Sequence, residues 1–140
     1  MRVLRVATLN VWNRSGPWAE RLRLIRDELG RLDADVVGLQ EVMRLVRPGT
    51  LEPLSPDHDQ AHEIANGFDY EIGYAGASDY GNGLIMGNAV LSRFPLFETR
   101  SFRLPDRGLL GNRLVRAAGR GELRRRGGPS ARPAGGAEEG

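Results

Sequence analysis

Two apolar runs of this sequence end in residues suited to phosphate or metal chemistry: Asn10 follows Val6-Ala7-Thr8-Leu9, and Glu41 follows Val36-Val37-Gly38-Leu39-Gln40. A carboxylate is a hard oxygen donor of the kind Mg²⁺ takes, and that ion keeps several waters when bound. An amide donates to a phosphate oxygen, accepts from a neighbour and adds no charge. Each type also has a plainer role: acids at strand ends are commonly solvated, and Asn is an ordinary turn former. By spacing alone the plainer roles are the commoner ones. The connection between the runs is what singles out the pair. A helical stretch separates them, and a strand, helix, parallel strand unit sets both carboxyl ends side by side. Open α/β sheets hold their ligands at that rim.

The elements that must position the pair follow from pattern. Residues 2–11 read as a first strand, too continuously apolar through Val3, Val6 and Leu9 for a one-sided surface strand, so burial on both faces is expected. Residues 17–32 read as a helix with Ser15 as its cap and Pro17 at its first position. Ala19, Leu22, Ile25, Leu29 and Leu32 form its apolar stripe. Residues 35–40 form an inner second strand ending at Gln40-Glu41. Residues 44–57, with three prolines, read as a loop. A short helix over 58–66 takes Asp57 as cap, turns Ala61, Ile64 and Ala65 inward and stops at Gly67. Residues 69–75 alternate as a strand and 80–83 form a turn. Residues 84–92 are a further strand, or two halves about Gly87. Pro95 interrupts, and 96–104 alternates again.

Composition narrows the chemistry. The 140 residues suffice for one domain with a modest core. Without cysteine there is neither a disulfide framework nor a thiolate metal site. The two histidines, His58 and His62, are too few for an all-histidine site, so a bound metal would be a hard one held by oxygen. Their i, i+4 spacing lacks the zinc-protease glutamate directly after the first histidine, and a solvated helix face is expected. No apolar run approaches membrane-spanning length and a strand pattern starts at the N-terminus, so a cytoplasmic protein is expected. All basic residues are arginine. Residues 1–106 carry 12 arginines against 15 acids, and 107–140 carry 8 against 3. The basic balance belongs to the second segment, and so argues little for nucleic-acid binding by the first.

With these residues in place, the chain resembles a known family. Val6 to Trp12, then Ala34-Asp35-Val36-Val37-Gly38-Leu39-Gln40-Glu41-Val42, and then Gly87-Asn88-Ala89-Val90-Leu91-Ser92-Arg93-Phe94-Pro95-Leu96 are similar, in order, to blocks of the endonuclease/exonuclease/phosphatase superfamily, the DNase I-like metal-dependent phosphoesterases. The resemblance covers about residues 2–105. It implies an α+β or α/β fold of two packed β-sheets with helices on the outer faces, of which this chain holds part. It implies Glu41 as a metal ligand, Asn10 as support for the metal and phosphate, and Gln40 behind them. Asn88 and Arg93 carry no implied catalytic role. The implied cofactor is Mg²⁺, with Mn²⁺ as a substitute. The implied substrate is a phosphoester of nucleic acid, a phospholipid or a sugar phosphate, and the implied reaction is its hydrolysis.

The departures from the family pattern are as informative. The later family elements, a histidine at a strand end, an Asp-x-Asn motif and a late Asp-His pair that activates water, do not occur here. Asp106 precedes Arg107-Gly108 and does not match. The expected organisation is therefore an N-terminal half-domain at 1–106 and an Arg/Gly/Pro/Ala-rich tail at 107–140. The tail is too poor in apolar residues to offset its ordering entropy, and a frameshift in GC-rich DNA would explain its composition. Its Arg124-Arg125-Arg126 run lacks interleaved aromatics for base stacking. Three functions compete. They are a metal-dependent phosphoesterase represented by its first half, a non-catalytic fragment, and a small nucleotide-binding α/β module. The last ranks lowest, because Asn13-Arg14-Ser15-Gly16-Pro17 matches no phosphate loop.

Overall fold

Four of the apolar runs pair into one sheet. The strands β1 (Val6–Asn10), β2 (Val36–Leu45), β3 (Glu71–Asp79) and β4 (Leu84–Ser92) lie in the order β1-β2-β4-β3. The computed structural model describes residues 3–103 and 113–118. β1 and β2 are parallel, with Asn10 opposite Gln40, and helix α1 (Trp18–Leu32) is their crossover. The other pairings in the sheet are antiparallel. A 3₁₀ turn at Pro56–His58 leads into a short helix, α2 (Gln60–Ala65). Two further strands, β5 (Glu98–Arg103) and β6 (Arg113–Ala118), form an antiparallel pair.

The helices cover one face of the sheet. Val37, Leu39 and Val42 of β2 and Ala89 and Leu91 of β4 pack there against Leu29 of α1 and Ala61, Ile64 and Ala65 of α2. On the other face β6 lies against β3 and β4. There a Cβ added at Gly73 would stand 3.2 Å from Thr99 Oγ1, so β5 also passes close to the sheet. The result is a mixed α/β architecture, a partial two-layered sandwich with flanking helices, as expected.

Several boundaries differ from expectation, each for a physical reason. The first strand is not buried on both faces. It begins at Val6 and forms the sheet edge, where Val6 is 66% exposed, because the helices cover only one face. The second strand does not end at Gln40 but runs to Leu45. The α1 stripe starts at Trp18 and runs through Leu22, Ile25 and Leu29, leaving Ala19 and Leu32 exposed. Ser15 does not cap α1. Its amide and hydroxyl both donate to Asn13 Oδ1, an Asx-type turn that competes with capping. Asp59, not Asp57, caps α2, its carboxylate accepting from the Ala61 amide at 3.0 Å. Residues 113–118, expected within an unstructured tail, form β6. Arg113-Leu114-Val115 has strand-forming character, and pairing satisfies the β5 edge. Asp106 and residues 119–140, including the Arg124-Arg125-Arg126 run, lie outside the described residues.

β4 runs unbroken through Gly87 because the neighbouring strand leaves no room for a side chain there. A Cβ would overlap the Ala75 carbonyl oxygen and stand 2.9 Å from Gly76 Cα, both backbone atoms that cannot rotate away. Gly87→Ala is therefore expected to destabilise the fold by about 3 kcal/mol, the upper part of the overpacking range, as read by chemical denaturation.

Two tyrosines anchor the covered face. Tyr70 donates to Ala34 O at 2.7 Å, and the Tyr74 hydroxyl lies 3.2 Å from both Val42 O and Ile85 O. Burial raises both phenol pKa values above the ordinary 10.0, with Arg93 opposing this at Tyr70 and Arg44 at Tyr74. Above that pH the unfolded chain releases phenolic protons that the folded chain keeps. This contribution to stability is complete below pH 10.0 and declines as pH rises beyond it. Urea midpoints should hold up to about pH 10, the ordinary tyrosine pKa, and fall above it. Tyr74→Phe should flatten that decline.

Candidate functional site

The parallel pairing of β1 and β2 brings the two sequence-predicted residues into contact. Asn10 Nδ2 donates to Glu41 Oε1 at 2.9 Å. The Asn10 oxygen is held as well, accepting from the Trp12 amide at 2.8 Å. Both ends of the amide are thus engaged, and one carboxylate oxygen is taken. Among the described residues Glu41 Oε2 accepts no hydrogen bond, and Asn10 is exposed at the rim.

Glu41 reaches this position through an irregularity in β2. The register against β4 shifts between Leu39 and Val42, and Glu41 has φ 57°, in the left-handed region. Side chains in a strand alternate between faces, so residues three apart point to opposite faces of a regular strand. Leu39 and Val42 are both fully buried in the same core. One extra residue must be absorbed between them, and a β-bulge does so. Left-handed backbone at a non-glycine residue costs of order 1 kcal/mol. The facing loop is similarly turned, with Trp12 at φ 52° and Asn13 at φ 43°. The Asn13 amide donates to Glu41 O at 3.0 Å, and the Val11 amide donates to Gln40 O at 2.9 Å.

Gln40 is not brought to the pair. Its Nε2 donates to Thr8 Oγ1 at 3.0 Å instead. Asn88 lies within β4, and Arg93 pairs with Asp33 at 2.7 Å. His58 bonds Ser55 Oγ through Nδ1 at 2.7 Å on the surface. His62, expected on a solvated face, instead packs against buried Asp59, with Nδ1 2.5 Å from Oδ2. That carboxylate also takes Arg44 Nη2 at 2.6 Å. A cleft of about 520 Å³ between α1, α2 and the start of β3 is lined by Arg26, His62, Glu63, Phe68 and Tyr70 and does not include Asn10 or Glu41.

Two residues that the sequence did not flag shape the site. Arg21 on α1 donates to Val11 O and to Ser15 O, closing the loop after Asn10, and its guanidinium sits 5.3 Å from the Trp12 ring centre. Gln60, fully buried, donates to Asn13 O and accepts from the Met43 amide, both at 2.8 Å. Neither carried a local signal, since an arginine on a helix and a glutamine near a helix start are ordinary surface residues.

Among the described residues no group of three or more His, Cys, Asp or Glu is placed to hold a metal. The described part supplies one carboxylate oxygen and an adjoining amide, a donor set of the hard-cation type but not a complete shell.

The described residues form a mixed α/β partial sandwich, with an amide–carboxylate pair at the carboxyl rim of its parallel β1–β2 unit. The chain belongs to the Endonuclease/Exonuclease/phosphatase family, whose sequence profile matches residues 7–137. That family acts on phosphoester substrates, generally with a divalent metal. A solved structure of an endonuclease/exonuclease/phosphatase family protein from Leptotrichia buccalis C-1013-b shares the fold, with a TM-score of 0.65 and 17% identity. The match covers 82% of this chain and 49% of that one, so the chain spans about half the length of that relative. No curated protein matches the chain. Among the described residues no helix is long and apolar enough to cross a membrane.

The strain at Glu41 can be read directly. Glu41→Gly and Glu41→Ala both lose the bond to Asn10, but only glycine adopts φ 57° freely. The glycine variant should be more stable than the alanine variant by about 1 kcal/mol in equilibrium denaturation.

Proposed function

We propose that Asn10 and Glu41 are this segment's contribution to a divalent-metal site for phosphoester hydrolysis, and that residues 1–140 alone do not complete it. The observation that supports this most is the 2.9 Å bond from Asn10 Nδ2 to Glu41 Oε1 at the strand rim. Family membership supports the reaction class.

Glu41 Oε2 would hold Mg²⁺, or Mn²⁺ in its place. When bound, such an ion polarises a phosphoryl oxygen and supports the leaving group. Asn10 has a different task. By donating to Oε1 it fixes the carboxylate rotamer and leaves Oε2 as the outward donor. The Trp12 amide in turn fixes the Asn10 flip, since an amide N–H bonds only the oxygen end. Gln40, bonded to Thr8, supports β1 rather than the metal ligand directly. Activation of water needs a general base, and the histidine and Asp-His elements that the family resemblance implies do not occur after His62. Without them little transition-state stabilisation remains. The substrate stays within the phosphoester class: nucleic acid, phospholipid or sugar phosphate.

The purified 140-residue chain tests both parts. Added Mn²⁺ should broaden the Asn10 side-chain amide signals in a ¹⁵N correlation spectrum. Glu41→Gln should weaken that binding by at least about 10-fold, in line with perturbed metal shells. Hydrolysis of bis(p-nitrophenyl) phosphate with Mg²⁺ should stay at background. Broadening unchanged in Glu41→Gln would refute the metal ligand, and clear Mg²⁺-dependent turnover by the chain would refute its incompleteness.

A further inference from the structure

The buried side chain of Gln60 joins the two backbone segments that carry Asn10 and Glu41. Gln60 opens α2 and is fully buried. Its Oε1 accepts from the Met43 amide, two residues beyond Glu41, at 2.8 Å. Its Nε2 donates to Asn13 O, three residues beyond Asn10, at 2.8 Å. The orientation of the amide is unambiguous, because a backbone N–H only donates and a carbonyl only accepts. The Asn13 amide meanwhile donates to Glu41 O at 3.0 Å. Three hydrogen bonds thus link the bulge, the left-handed turn and α2 into a closed ring.

The ring is anchored from behind. The preceding residue, Asp59, caps α2 and takes Arg44 Nη2 at 2.6 Å, and Arg44 follows Met43 in β2. Gln60 therefore cannot shift without moving the helix start or the strand. A residue that only filled space would not need both ends of its amide on these two segments. A buried polar group loses the full cost of desolvation when its partner is removed, so both bonds hold firmly.

We propose that Gln60 is a positioning residue that sets the separation and orientation of Asn10 and Glu41, and through them the metal affinity of the rim. The metal part of this rests on the function proposed above; the geometric part does not.

The test uses the 140-residue chain and the variant Gln60→Met, which keeps the volume and removes both bonds. The Asn10 side-chain amide pair and the Glu41 backbone amide should move in a ¹⁵N correlation spectrum, and apparent Mn²⁺ affinity should fall about 10-fold. Ile64→Val trims the same helix without removing either hydrogen bond, and should leave those signals and the affinity as in the parent chain. Asn10 and Glu41 signals unchanged in Gln60→Met overturn the proposal, as does an equal displacement in Ile64→Val. Should Gln60→Met not fold, Gln60→Glu, read at a pH where its carboxylate is ionised, retains the acceptor for the Met43 amide and replaces the donor to Asn13 O with a second acceptor. It should displace the Asn10 signals more than the Glu41 signal, and undisplaced Asn10 signals overturn the proposal. Absence of Mn²⁺ binding by the parent chain sinks the metal-site reading alone, while the signal comparison still decides the role of Gln60.

Discussion

Leu39 and Val42 lie three residues apart on one strand and both face the same core. That single constraint organises the molecule. A regular strand cannot bury both, so β2 absorbs an extra residue, and the residue that takes the irregular backbone is Glu41. Without the bulge, every core side chain beyond it would turn to the other face. The hydrophobic demand of Val42 thus aims a carboxylate at the rim. The strain at Glu41 is of order 1 kcal/mol, comparable to one good hydrogen bond. It persists because burying Val42 is worth about 1.5–3 kcal/mol.

The bulge interrupts the strand ladder, and the polar groups it disturbs are recovered locally. The Asn13 amide takes Glu41 O, and Gln60 takes the Met43 amide. These partners come from a loop and a helix distant in sequence, so repairing the ladder also ties the site to its surroundings. Helix α2, at six residues, is too short to be stable by its own propensity. It is held by Ala61, Ile64 and Ala65 in the core and by Asp59 at its cap. The Asp59–Arg44 ion pair is almost wholly buried, and Arg44 lies 3.8 Å from the Tyr74 ring centre. A buried pair of this kind contributes little net stability but does fix geometry, since leaving either charge alone is costly.

The fold and the pair answer different questions. The similarity to the Leptotrichia buccalis structure, at 17% identity, concerns the path of the chain. The proposed chemistry rests instead on two side chains within hydrogen-bond reach at a rim where ligands of α/β sheets bind. The cleft between α1, α2 and β3 lies away from that pair.

Much was legible in the residue order. The apolar runs, the helix between them and the right-handed crossover rule sufficed to pair β1 with β2 and to place Asn10 and Glu41 at one rim. The inward residues Ala61, Ile64 and Ala65 followed from helical period. These are local patterns or short-range topology, which propensity and periodicity encode. Tertiary structure alone decided that Glu41 sits in a bulge rather than at a strand end, that β1 is an exposed edge, that Asp59 replaces Asp57 as the cap, and that Gln60 bridges Met43 and Asn13. Each outcome depends on partners brought close only when the sheet packs on its helices. Gln60 and Asn13, for example, are 47 positions apart, and no local pattern records a hydrogen bond across that distance.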